Sequence, residues 1–167
     1  MHIRVAAGFI LATTIALSAV WSFAQSKEIP LKDLPAKVSD AVKAKWPKAK
    51  IVRAEAQKDK GQTLYNLELA EASGKQQRKF GATLTADGKI DEVQEPAKLA
   101  DVPKPVLAAL AKKYPTIKKP RVDKVTEGEG AAARVMYEFR FGTQMRIDSA
   151  GKTLDEIEIE LDEGKEE

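Results

Sequence analysis

Apolar residues recur every four positions in two short segments of the chain. This spacing places side chains on one face of a helix, so each segment is predicted to be helical. A proline follows each stripe, at Pro47 and Pro115, and disfavours helical geometry in the residue before it, so each helix is expected to end there. An aspartate precedes each segment, at Asp33 and Asp101, and is expected to accept hydrogen bonds from the first helical turn. The two stripes are Val38, Val42 and Trp46, and then Val106, Leu110 and Tyr114.

Each predicted helix is followed by residues that alternate between apolar and polar. Alternation with a period of two is typical of strands with one buried face and one wet face. Tight turns separate the runs, and Asp87-Gly88 is the strongest of these turn signals. The clearest alternating runs are 65–69, with Tyr65, Leu67 and Leu69 on one face, and 137–141, with Tyr137, Phe139 and Phe141 on one face.

The helix and the strands that follow it occur twice, because segment 101–115 aligns without a gap on segment 33–47. We therefore predict an α+β fold of two tandem repeats, each with one helix packed on about four antiparallel strands. The predicted boundaries are 25–98 for the first repeat, 99–162 for the second and 163–167 for an acidic tail.

The N-terminal residues 1–24 have the composition of a signal peptide. Arg4 precedes an uncharged apolar run from Val5 to Trp21, and Ser22-Phe23-Ala24 then supplies small residues for cleavage after Ala24. The alternative is an uncleaved membrane anchor, although Thr13 and other hydroxyl residues lower the apolarity of the run. The leader predicts a periplasmic or secreted protein without a stable membrane anchor once the leader is removed.

Composition removes several classes of function. The chain has 28 Lys and Arg against 25 Asp and Glu, and its basic residues are spread out, so no nucleic-acid partner is expected. There is no cysteine, and the single histidine, His2, lies in the leader. These absences exclude Ser-His and Cys-His catalysis and the usual zinc and copper ligand sets. We predict that the protein is not an enzyme and that it has no catalytic residue, metal or cofactor.

The order of elements resembles a known family. Each unit is similar to the PepSY-like domains in the order of its elements. That order is a hydrophobic-Pro pair, a helix, an aromatic-Pro pair, strands carrying "YNLEL" or "YEFRF", a glycine turn and a final strand. The PepSY-like domains are bacterial exported modules, often in tandem, grouped with the β-lactamase inhibitory protein fold. The resemblance covers about Leu34 to Leu161. It implies binding to a peptidase or another envelope protein, without catalysis, through the exposed face of the sheet.

The polar positions opposite the apolar rows are the candidates for that exposed face. They are predicted to bind another extracytoplasmic protein. The alternative prediction is an envelope sensor or carrier of a small ligand or of a cation such as calcium, since Glu156, Glu158 and Glu160 share one face of the last strand. The candidate protein-binding residues are Asn66, Glu68, Glu138, Arg140 and Arg146.

Overall fold

The computed structural model describes residues 26–73 and 76–158. The predicted signal peptide, the acidic tail and Glu160 lie outside the described residues. Within them, two helices and nine strands follow one another along the chain. The elements are β1 Lys27–Glu28, α1 Ala36–Lys45, β2 Ala49–Asp59, β3 Gln62–Ser73, β4 Gln76–Thr85, β5 Ile90–Pro96, α2 Lys104–Lys113, β6 Arg121–Glu127, β7 Arg134–Arg140, β8 Thr143–Asp148 and β9 Thr153–Glu158.

The strands form one sheet, and the predicted fold class of two tandem helix-on-sheet repeats is therefore wrong. All nine described strands lie in sequence order in a single antiparallel sheet. The ladder continues across the expected boundary, where β5 pairs with β6 from Glu92↔Glu127 to Pro96↔Asp123. Two separate sheets would each leave one more strand edge with unpaired backbone groups, and the shared β5–β6 ladder satisfies these groups internally. The molecule is mostly β-structure, with both helices packed on the same sheet.

Both helices cover the same face of this sheet, each over its own core. Val38 and Val42 of α1 pack with Leu69 and Leu84, whereas Val106 of α2 packs in a second cluster. The second cluster also contains Leu110, Phe139, Met145 and Ile147. Residues that pair directly across strands lie on the same face of a sheet. Val93 of the first cluster pairs with Thr126, and Thr126 pairs with Val135 of the second cluster, so both clusters lie on one face. The opposite face carries no helix among the described residues.

The helices end where the sequence predicts, but they begin differently. The amide of Trp46 donates to the Val42 carbonyl at 2.8 Å as α1 ends, and Tyr114 repeats this contact with Leu110 at the end of α2. The Trp46 ring then packs edge-to-face on Phe80, with ring centres 5.3 Å apart. The predicted aspartate caps are wrong. Asp33 and Asp101 lie in short 3-10 turns, and a proline without a side-chain cap stands at each helix start.

Within the described ranges, neither helix has the length and apolar composition required to cross a lipid bilayer.

Candidate functional site

The face of the sheet that points away from the helices, called the open face below, carries a row of polar side chains. Cross-strand pairing sets this row, because Asn66 of β3 stands between Glu55 of β2 and Thr83 of β4. Thr83 in turn pairs with Glu92 of β5, and Glu92 pairs with Glu127 of β6. Residues far apart in sequence therefore meet on one surface that no described helix covers.

A groove of about 620 Å³ runs over the first half of the open face. Gly81 of β4 lines it without a side chain, next to Gln94 of β5. Asn66 is fixed in the wall of the groove, where its amide donates to Gln57 at 3.1 Å and its carbonyl accepts from Thr83 at 3.0 Å. The groove is thus bounded by oriented polar groups and is not lined by loose side chains alone. Its other lining side chains include Arg53, Glu55, Asp59, Glu68, Asp91, Glu92 and Arg146.

A buried carboxylate organises the neighbouring strands of the open face. Glu138 of β7 is only 3% exposed. One of its oxygens accepts from Arg146 Nε at 2.8 Å and from Gln144 at 2.8 Å, and the other accepts from Gln94 at 3.1 Å. A carboxylate removed from water requires such partners, and here they come from β5 and β8. Glu138 thereby fixes Arg146 at the groove.

Asp123 extends the same network on β6. It is 7% exposed, and it accepts from Arg140 and from the Gln94 amide at 3.2 Å. Arg140 Nε also lies 3.4 Å from Glu138, within ion-pair distance but without hydrogen-bond geometry. Two arginines and two glutamines therefore surround two buried carboxylates, and these groups form a connected polar layer on this half of the open face.

Glu92 connects the polar layer to the groove. Its carboxylate lies 3.6 Å from the Arg146 guanidinium. Burial raises the pKa of Glu92 above its ordinary value of 4.5, and Arg146 opposes this rise. The nearby carboxylates of Glu127, Glu138 and Asp91 add to the increase. Glu92 is therefore a charged group held at some cost to the fold.

Replacing Glu92 with glutamine is expected to stabilise the fold at pH 7. The folded state binds a proton on Glu92 more tightly than the unfolded state does, so stability due to this group falls as pH rises through its folded pKa. Glu92→Gln removes that dependence. Thermal unfolding should show a higher Tm for the variant at pH 7, and the difference should vanish well below pH 4.5, where Glu92 is protonated in both the folded and the unfolded state. An equal difference at both pH values would contradict the assignment.

All five residues predicted as a protein-binding surface lie on the open face, but in different settings. Asn66, Glu68 and Arg146 line the groove. The side chain of Glu68 is more exposed than that of Arg146, and it forms an ion pair with Lys79 at 2.8 Å. Glu138 was expected on an exposed surface and is instead buried, while Arg140 is half-buried beside it. The structure therefore places three of the five at the groove and two in the layer that supports it.

Sequence reasoning missed Gly81, Gln94 and Glu92. Gly81 carried a usable signal, because a glycine inside an alternating strand often marks a place where another group approaches closely. Glu92 leaves no comparable signal in the sequence. Its partial burial depends on Arg146, which lies on a distant strand and leaves no local pattern.

Within the described residues, the first member of the acidic row predicted on the last strand is not a free ligand. Glu156 points to the helix side, where it accepts from Lys113 and from the Tyr114 hydroxyl. In the part of the chain that the structure describes, no three His, Cys, Asp or Glu side chains form a candidate metal site. The alternative prediction of a calcium sensor has no candidate site in that part.

Comparisons with known proteins give the fold. No protein-family model matches the sequence, and no curated protein is significantly similar to it. A protein from Bacteroides eggerthii DSM 20697 that is assigned to the periplasm has a TM-score of 0.55 and 19% identity, over 75% of this chain and 88% of that one. A DUF2874 family protein from Bacteroides uniformis ATCC 8492 has a TM-score of 0.54 and 17% identity, over 74% of this chain and 88% of that one. These two likenesses show that the chain shares their fold.

A third structure, a BLIP-like protein from Bacteroides fragilis NCTC 9343, has a TM-score of 0.49 and 16% identity, over 78% of this chain and 89% of that one. The periplasmic assignment of the first protein agrees with the localisation predicted from residues 1–24.

Proposed function

We propose that the protein is an exported, non-enzymatic binding module of the PepSY-like, β-lactamase-inhibitor-like type. It acts in the periplasm, where its open face binds another extracytoplasmic protein. By occupying a surface of that protein, it inhibits or regulates a peptidase or another envelope protein.

The groove on the open face is the observation that carries this proposal. Both helices pack on one side of the sheet, so the other side is available to a partner. The groove there is wide, and its polar groups are held in place by hydrogen bonds, as in the wall formed by Asn66. Preorganised groups of this kind lose little freedom when a partner binds. The leader and the likeness to a periplasmic protein support the location.

Site-specific photocrosslinking in the envelope of the native host tests the proposal. A photoreactive amino acid replaces Asn66 or Glu68 in the groove, and the matched control replaces Lys43 of α1, whose side chain is 77% exposed on the other side of the sheet. We expect a discrete crosslinked band from the two groove positions and none from Lys43. The band should contain one extracytoplasmic protein, identified by mass spectrometry.

The matched positions make a negative result informative. Folding of each variant is checked by its thermal unfolding. If folded Asn66 and Glu68 variants give no band, or if Lys43 gives the same band, the open face is not the binding surface and the proposed function is wrong.

A further inference from the structure

The groove holds more acidic than basic side chains. Its cations are Arg53 and Arg146, whereas its carboxylates are Glu55, Asp59, Glu68, Asp91 and Glu92. The chain as a whole has the opposite balance, with a formal net charge of +3. The negative charge of the groove is therefore a local property that the overall composition does not predict.

Both cations of the groove are already held in ion pairs, partly with carboxylates of the groove itself. Arg53 lies 3.2 Å from Glu28 and 2.9 Å from Glu55. Arg146 hydrogen-bonds the buried Glu138 at 2.8 Å and reaches Glu92 only at 3.6 Å. Neither guanidinium can turn further into the groove without breaking these pairs. Together with the Glu68–Lys79 pair, these contacts engage three of the five carboxylates. Asp59 and Asp91 are left without an ion pair among the described residues.

Two carboxylates at the groove have no partner at all among the described residues. Asp59, at the end of β2, and Asp91, on β5, form neither an ion pair nor a side-chain hydrogen bond within 26–73 and 76–158. Asp91 is next to Glu92, and both also line a smaller adjoining depression with Glu127 and Arg134, which pair with each other at 2.5 Å. A cation placed beside Asp91 would meet a carboxylate with no partner among the described residues, next to Glu92, which Arg146 reaches only at 3.6 Å.

Gly81 gives the groove room for another backbone. Its φ is not positive, so the local conformation does not require glycine. A Cβ atom added there would meet nothing closer than Gln94 Cβ at 3.7 Å, an ordinary contact, so packing does not require glycine either. Glycine weakens a strand interior and is found where a ligand or another chain approaches closely.

We propose that the groove receives a lysine or arginine side chain from an extended segment of the partner protein, with Asp91 and Glu92 as its acceptors and Gly81 leaving space for the segment. This inference rests on the proposed function and adds the chemistry of the partner. Charge-assisted hydrogen bonds to two carboxylates would give both affinity and orientation.

A peptide titration followed by backbone amide NMR tests the inference without a known partner. The probe is the acetylated, amidated peptide Gly-Ser-Arg-Ser-Gly, and its matched control has neutral citrulline in place of arginine. We expect the arginine peptide to shift the amide signals of Gly81, Thr83, Glu92 and Gln94, and to bind more weakly as salt is added. The citrulline peptide should bind about tenfold more weakly or worse.

Variants locate the binding within the groove. The double variant Asp91→Asn/Glu92→Gln should weaken arginine-peptide binding by about tenfold or more while leaving the fold intact. Gly81→Trp should fill the groove and remove binding, whereas Gly81→Ala should keep it, because its added methyl group fits at 3.7 Å from Gln94. Both Gly81 variants change the open face and leave the helix-side cores untouched.

The outcomes separate this inference from the proposed function. If Asn66 and Glu68 crosslink to a partner but the arginine and citrulline peptides bind alike, or the double variant binds as tightly as the natural chain, the basic-segment inference is wrong and the open-face function stands. If the arginine peptide shifts the groove signals and the two carboxamide substitutions remove the shifts, the inference holds.

Discussion

Replacing Glu138 with alanine is expected to lower the free energy of unfolding by about 3 kcal/mol. The change removes a carboxylate that is 3% exposed and leaves Arg146, Gln144 and Gln94 without their shared acceptor. Removal of one member of a buried ion pair costs about 3–5 kcal/mol, since the remaining charge stays buried. The lower end applies because Arg146 keeps 28% exposure and can regain some water. Urea unfolding followed by circular dichroism measures the difference.

Glu68→Ala is the matched control for this prediction. Glu68 lies on the same face and forms an ion pair with Lys79 at 2.8 Å, but the two side chains are 38% and 61% exposed. Solvent-exposed pairs contribute about 0–1 kcal/mol, so this variant should unfold almost as the natural chain does. Equal losses in the two variants would show that Glu138 is not the organising group of the open face.

The local elements of the fold could be predicted well, because each depends on neighbours in sequence. The stripe of Val38 and Val42 specifies which side of α1 is buried, and Pro47 limits its length. Alternation likewise separates Leu67 and Leu69 from Asn66 and Glu68, and the structure confirms this separation of faces. These patterns require only the periods of a helix and a strand.

The joining of all strands into one sheet could not be read from the same patterns. A β5–β6 ladder is made by backbone groups, which every residue other than proline carries in full, so two sheets and one sheet give the same alternation. The same reason explains the candidate site. Whether a polar residue is exposed or buried depends on its partners on other strands. Glu138 is an example, because Gln94 and Arg146, which lie on two other strands, donate hydrogen bonds to its buried carboxylate.

Gly88→Ala is expected to lower the free energy of unfolding by about 2–5 kcal/mol. Gly88 has a φ of +88° in the turn between β4 and β5, a conformation that costs an L-residue about 1–2 kcal/mol. In addition, its new Cβ atom would stand 2.6 Å from the Lys37 carbonyl oxygen of α1, so the helix or the turn must move. The absence of a side chain at Gly88 lets the turn pack directly against α1. A Cβ atom added at Gly151 would likewise stand 2.7 Å from the Pro105 carbonyl oxygen of α2.

Gly61→Ala isolates the contribution of that contact. Gly61 also has a positive φ, +82°, in the turn between β2 and β3, but an added Cβ atom would have nothing within 4 Å. Gly61→Ala should therefore lower the free energy of unfolding only by the cost of the backbone conformation, about 1–2 kcal/mol. Urea unfolding of both variants gives the difference, which measures how firmly the β4–β5 turn is fixed to α1. If Gly61→Ala costs as much as Gly88→Ala, backbone conformation alone accounts for both glycines, and the turn does not hold the helix against the sheet.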